Sequence, residues 1–126
     1  MWSDLVIVAA LFQCMYFAST VAKARRTYAV KAPAISGHEV FERHFRVQMN
    51  TLEMFVLFVP ALWMATKYWP TEYMAAIGAV YLIGRQLYSV AYVNDPKSRG
   101  LGFMLSFIPV VLLILATLAG MLWSFI

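Results

Sequence analysis

Arg43, Arg46, Asn50 and Glu53 recur at i, i+3, i+7 and i+10, a spacing that puts all four on one face of a helix. Tyr81, Arg85, Tyr88 and Tyr92 follow at i, i+4, i+7 and i+11, again along one face. Guanidinium groups bind carboxylates in pairs of hydrogen bonds, a carboxylate takes an ammonium, and amides and phenols bond peptide groups. Together these groups suit a zwitterionic ligand. A short acidic thiol peptide such as glutathione, with two carboxylates and one amine, meets that description, although spacing alone does not name it. No Gly-rich phosphate loop, Ser/His/Asp set or pair of acids accompanies them. His38 and His44 lack partners at metal-ligand spacing, so no metal is expected.

Each residue also has a structural reading. Arg43 is expected to snorkel or to pair with Glu39. Arg46 and Glu53 are too far apart along a helix to pair directly, so each needs another partner. Asn50 could simply bond across helices. For Arg85 an ion pair with Glu53 or another acid competes with a ligand role, and Tyr88 and Tyr92 could be interfacial aromatics. Tyr81, Cys14 and the methionines read as packing.

The elements that position these residues are set by composition. Of 126 residues 63% are hydrophobic and 13% charged, with mean hydropathy +0.72, against about 45–50% and about 25% in soluble domains. So apolar a chain of this size cannot cover itself with polar surface, which excludes a water-soluble globule. Leu5 to Ala22, Met49 to Thr66, Tyr73 to Tyr92 and Leu101 to Ile126 are apolar runs, each near the roughly 20 residues that cross a bilayer as a helix. The expectation is an all-α integral membrane protein, one four-helix domain over residues 1–126, with spans at about 4–27, 38–67, 71–94 and 100–125. Asp4 stands where a signal peptide would carry positive charge, so the first run reads as a span.

Lys23, Arg25, Arg26, Lys31, Arg43 and Arg46 lie around the first loop and Lys97 and Arg99 in the third, whereas the second has only Lys67. The positive-inside bias puts loops one and three in the cytoplasm and both termini opposite, with Trp2, Trp63, Trp69 and Trp123 as an interfacial belt. The net charge of +4 is spread between apolar runs instead of forming a stripe, so nucleic acid is not expected as a partner. Cys14 is the single cysteine, which excludes an internal disulfide. Pro33 and Ser36-Gly37 predict a non-helical connector. A helix then starts near His38, supported by Glu39–Arg43 and Glu42–Arg46 pairs. Asn94-Asp95-Pro96 ends the third helix, Gly100 and Gly102 should loosen the start of the fourth, and Pro60 and Pro109 should kink their spans.

Phe41-Glu-Arg-His-Phe-Arg46-Val-Gln48-Met-Asn50-Thr-Leu-Glu53 resembles the F-E-R-x-x-R-x-Q-x-N-x-x-E signature of the MAPEG family, the membrane-associated proteins in eicosanoid and glutathione metabolism. Ala24-Arg25-Arg26, and Arg85-x-x-Tyr88-x-x-x-Tyr92 followed by Arg99, extend the resemblance over the whole chain. It implies a homotrimer with glutathione as co-substrate, bound between subunits near the cytoplasmic side. By position, Arg25, Arg46, Gln48, Asn50, Glu53, Tyr88 and Tyr92 look like glutathione contacts. Arg99 looks like the arginine that stabilises the thiolate, and Arg26 like a second arginine near the reacting centre. Met54 departs from the tyrosine of the leukotriene-synthase pattern, which removes one hydrogen bond to glutathione and argues against a leukotriene-specific role. The short chain, without a tail after the fourth span, resembles a bacterial or generic microsomal glutathione transferase. The membrane would then be the inner membrane of a bacterium or the endoplasmic reticulum of a eukaryote.

The implied activity is the joining of glutathione to a lipophilic electrophile, with peroxidase activity as a possible companion. A non-catalytic lipid-binding or partner-presenting protein of the same family is the alternative, and the presence of Arg99 favours chemistry. A small drug exporter would carry an acid in its first span, and Leu5 to Ala22 has none.

Overall fold

The computed structural model describes residues 1–126. Its elements are α1 (Trp2–Thr27), α2 (Glu39–Ala65), α3 (Thr71–Asn94), a 3₁₀ turn (Pro96–Ser98) and α4 (Gly100–Trp123). At about 1.5 Å per residue, each helix is longer than the roughly 30 Å of bilayer hydrocarbon, so the polar helix ends reach beyond it. A helix satisfies its own backbone groups, which is why apolar runs of this length adopt it in lipid. Only 28 of the 126 residues are buried, and Phe12, Met15, Val56, Trp63 and Leu115 are each more than half exposed. Apolar side chains therefore face outward around four helices long and apolar enough to span, the surface of an integral multi-pass membrane protein.

The loops at one end are tied down locally. Arg25 Nη1 donates to the carbonyls of Val30 (3.3 Å) and Ala34 (2.8 Å), and its guanidinium lies 4.7 Å from the centre of the Phe41 ring. Gly37 has φ +140°, a conformation that side-chain-bearing residues rarely adopt. His38 then caps α2, its Nδ1 accepting from the Val40 amide at 3.1 Å. Arg43 pairs with Glu39 and also donates to the carbonyls of Val93 (3.0 Å) and Asn94 (3.2 Å). It thereby satisfies the open C-terminal end of α3 with a cation. Glu42 does not pair with Arg46: its Oε2 accepts from the Gly37 amide at 3.4 Å.

Apolar burial drives helix association weakly in lipid, so close contact and hydrogen bonds must hold the bundle. The central layer includes Phe58 stacked on Tyr81, ring centres 3.8 Å apart, with Leu62, Val110 and Leu113 around them. α3 and α4 are the most closely joined pair. A Cβ on Gly84 would come within 2.5 Å of the Leu105 backbone, and one on Gly102 within 2.4 Å of the Tyr88 amide nitrogen. The expected loosening role of Gly102 is thus corrected. It lets two backbones touch, whereas Gly100, with open space around it, is the residue at the helix start. Pro60 and Pro109 both lie inside continuous helices.

Candidate functional site

The C-terminal ends of α1 and α3 and the N-terminal ends of α2 and α4 share one end of the bundle, the end of loops one and three. There Arg46 and Asn50 of α2, Tyr88 and Tyr92 of α3, and Arg99 and Phe103 around the start of α4 line a pocket of about 340 Å³. That volume is at the lower limit of the roughly 300–1,000 Å³ typical of ligand sites. Five residues singled out in the sequence thus converge although they come from three helices. Arg99 occupies the N-cap of α4 and its Nη1 donates to the Pro96 carbonyl at 3.1 Å, so its cation is anchored at the mouth. Tyr88 is buried, and its ring is 5.5 Å from that of Tyr92.

Glu53 joins the set through Arg46, whose Nη1 stands 3.3 Å from Glu53 Oε1. The expectation that these two are too far apart to pair is overturned. They are seven residues apart, about 10.5 Å along the axis, and two long side chains bridge two turns. Both side chains are at least half exposed (50% and 58%), so the pair is weak and exchangeable, worth about 0–1 kcal/mol.

Arg85 carries no ion pair with Glu53 or any other acid. It is fully buried, its Nε donating to Ser106 Oγ (2.8 Å) and its Nη1 to Asn50 Oδ1 (2.7 Å) and Thr51 Oγ1 (3.3 Å). The guanidinium lies 4.4 Å from the Tyr88 ring centre, and Nη2 has no partner. Asn50 therefore does bond across helices, as its structural reading expected, and at the same time lines the pocket.

Three residues named from the sequence are elsewhere. Arg25 holds the first loop, Arg26 is exposed at the end of α1, and Gln48 is half-buried on another face of α2. At 100° per residue Gln48 projects roughly opposite Arg46 and Glu53, so one chain cannot bring it to their pocket. Sequence reasoning missed Thr51, Phe103 and Ser106. Thr51 and Ser106, hydroxyl residues inside apolar spans, were visible signals, whereas Phe103 carried none. The largest cavity, about 610 Å³ between α1 and α3, is lined by Trp2, Leu5, Ala75 and other apolar residues with Glu72 at its edge. It has no convergent polar groups, whereas the smaller pocket gathers two guanidiniums, an amide and two phenols and is the candidate site. No group of His, Cys, Asp or Glu is arranged to hold a metal.

Fold and site together define a four-span membrane protein with a donor-rich pocket at one end of its bundle. The profile of the MAPEG family matches residues 4–119, and the chain belongs to that family. It is 40% identical over 124 residues to the human (Homo sapiens) microsomal glutathione S-transferase 2, covering 97% of this chain and 84% of that one. It is 37% identical over 124 residues to an uncharacterised protein of Synechocystis sp., covering 98% and 90%. To the leukotriene C4 synthase of Rattus norvegicus it is 39% identical over 84 residues, covering 67% of this chain and 56% of the synthase.

Proposed function

We propose that the protein is a membrane-bound glutathione transferase that joins the glutathione thiolate to lipophilic electrophiles. The observation that carries this reading is the convergence of Arg46, Asn50, Tyr88, Tyr92 and Arg99 on one pocket at the polar end of the bundle. Guanidiniums there receive the carboxylates, and the Asn50 amide and the tyrosine hydroxyls bond the peptide groups. Glu53 exchanges its exposed Arg46 partner for the ammonium. An ordinary thiol, with pKa about 8.5, is a few per cent ionised at neutral pH. Arg99 at the mouth favours the thiolate and lowers that value. The thiol proton leaves to solvent, the sulfur lone pair forms a bond to the electrophilic carbon, and the leaving group departs with its electron pair. Binding contacts that hold the sulfur in place supply part of the rate. The electrophile arrives through the bilayer, in which the apolar flanks of the bundle are immersed.

The assembly we propose is a homotrimer with the site between subunits. Gln48 and Arg25 are glutathione contacts that the pocket of a single chain lacks, and a neighbouring subunit is the source that supplies them. Arg26, exposed beside Arg25, serves as the second arginine near the reacting centre in the same way. Loops one and three face the cytoplasm, where glutathione is abundant. A glutathione-dependent peroxidase activity would use the same thiolate on a lipid hydroperoxide.

Isothermal calorimetry of the detergent-solubilised protein with glutathione, followed by turnover with an aryl halide, tests the reading. Saturable binding together with conjugate formation is expected. Binding without turnover would favour a non-catalytic lipid-binding protein of the family, and no binding would exclude the reading.

A further inference from the structure

Arg85 is outside the pocket, yet it touches two of the residues that line it. Its Nη1 is 2.7 Å from Asn50 Oδ1, and its guanidinium lies 4.4 Å from the Tyr88 ring centre. An arginine has donors only, so whatever faces Nη1 must be the Asn50 oxygen. The Asn50 NH₂ is then left for the pocket as a pure donor. Nε and Nη1 also bond Ser106 of α4 and Thr51 of α2, at 2.8 and 3.3 Å. One side chain of α3 thereby ties together the three helices that form the pocket. A fully buried cation with no acid partner is costly inside a membrane span, and a purely structural tie could be made with neutral groups.

We propose that Arg85 is the positioning residue of this site. It fixes the Asn50 amide so that the pocket presents N–H groups to a ligand oxygen, and it holds the Tyr88 ring, which in turn stacks on Tyr92. The inference rests on the glutathione reading above. Its consequence is specificity: with Asn50 locked as donor, the wall formed by Arg46 and Asn50 offers no acceptor. The ligand group that meets it must be a carboxylate or a carbonyl, never an amine, and the ammonium is directed to Glu53.

The test is a double-mutant cycle for glutathione affinity in the detergent-solubilised protein, with Arg85→Met, Asn50→Ala and the double variant. If Arg85 acts through Asn50, each single change weakens binding by about tenfold and the double variant is no weaker than about twentyfold, because both remove the same contact. Losses that multiply to about a hundredfold, or unchanged affinity in Arg85→Met, would overturn the proposal. Asn50→Asp covers the case in which Arg85→Met does not fold. It keeps the oxygen that faces Arg85 and removes the donor, so a melting temperature at or above that of the original protein with about tenfold weaker binding is expected. A lowered melting temperature or full affinity would contradict the lock. The unaltered protein serves as the separating control: if it takes up no glutathione, the functional reading fails first and the positioning role falls with it.

Discussion

Arg99 and Glu53 are the residues at which binding and chemistry separate. Arg99→Ala should keep most glutathione affinity yet lose at least about tenfold in turnover with an aryl halide, about 1.4 kcal/mol of barrier. A cation at the mouth stabilises thiolate more than thiol, so it acts on reactivity. The lost rate should partly return as pH rises toward the ordinary thiol pKa of about 8.5, and a normal rate at every pH would make Arg99 a flanking charge. Glu53→Gln should weaken glutathione binding by about 1.5–3 kcal/mol, the scale of a hydrogen bond to a charged group. The Arg46–Glu53 pair is at least half exposed, so the variant should melt within a few degrees of the original. Unchanged affinity in that folded variant would remove the assigned role. The site's residue types and their two helical faces were legible in the sequence because helical periodicity orders them. The Arg46–Glu53 pair was not, because the spacing rule counts turns of backbone and not the reach of two long side chains. The partners of Arg85 escaped as well: they are neutral oxygens on α2 and α4, and neither their charge nor their spacing ties them to an arginine on α3.

At the scale of the helices, the α3–α4 contact decides whether the pocket exists. A Cβ at Gly102 would meet the Tyr88 backbone at 2.4 Å, and neither backbone can yield without moving Tyr88 and Arg99 apart. Gly102→Ala should therefore destabilise the protein by at least about 2 kcal/mol and lower glutathione affinity, read by thermal unfolding and calorimetry. Gly100→Ala, two residues away in open space, is the matched control and should leave stability within about 0.5 kcal/mol. Equal behaviour of the two variants would show that the close approach is unimportant. The four helices themselves were legible, since the apolar runs are continuous and Asn94-Asp95-Pro96 and Ser36-Gly37 punctuate them. The role of Gly102 was not, because a close approach involves a residue far away in the chain and leaves no periodic trace.

For the whole molecule, the loop charges expect a reporter fused after Ile126 to lie outside the cytoplasm and one inserted near Ala34 to lie inside. The reverse labelling would move the pocket away from cytoplasmic glutathione. Sedimentation of the detergent-solubilised protein, corrected for bound detergent, should give the mass of three chains. A stable monomer that binds glutathione fully would show that Gln48 and Arg25 of a neighbour are not needed. The central claim is that this pocket binds glutathione and holds it as a thiolate. It is tested most directly by ultraviolet difference absorbance, which reads the thiolate band as glutathione is titrated into the protein at neutral pH. The account predicts a saturable thiolate signal that follows binding and is lost or strongly reduced in Arg99→Ala. Saturating glutathione without a thiolate band, or the same band in both proteins, would contradict it.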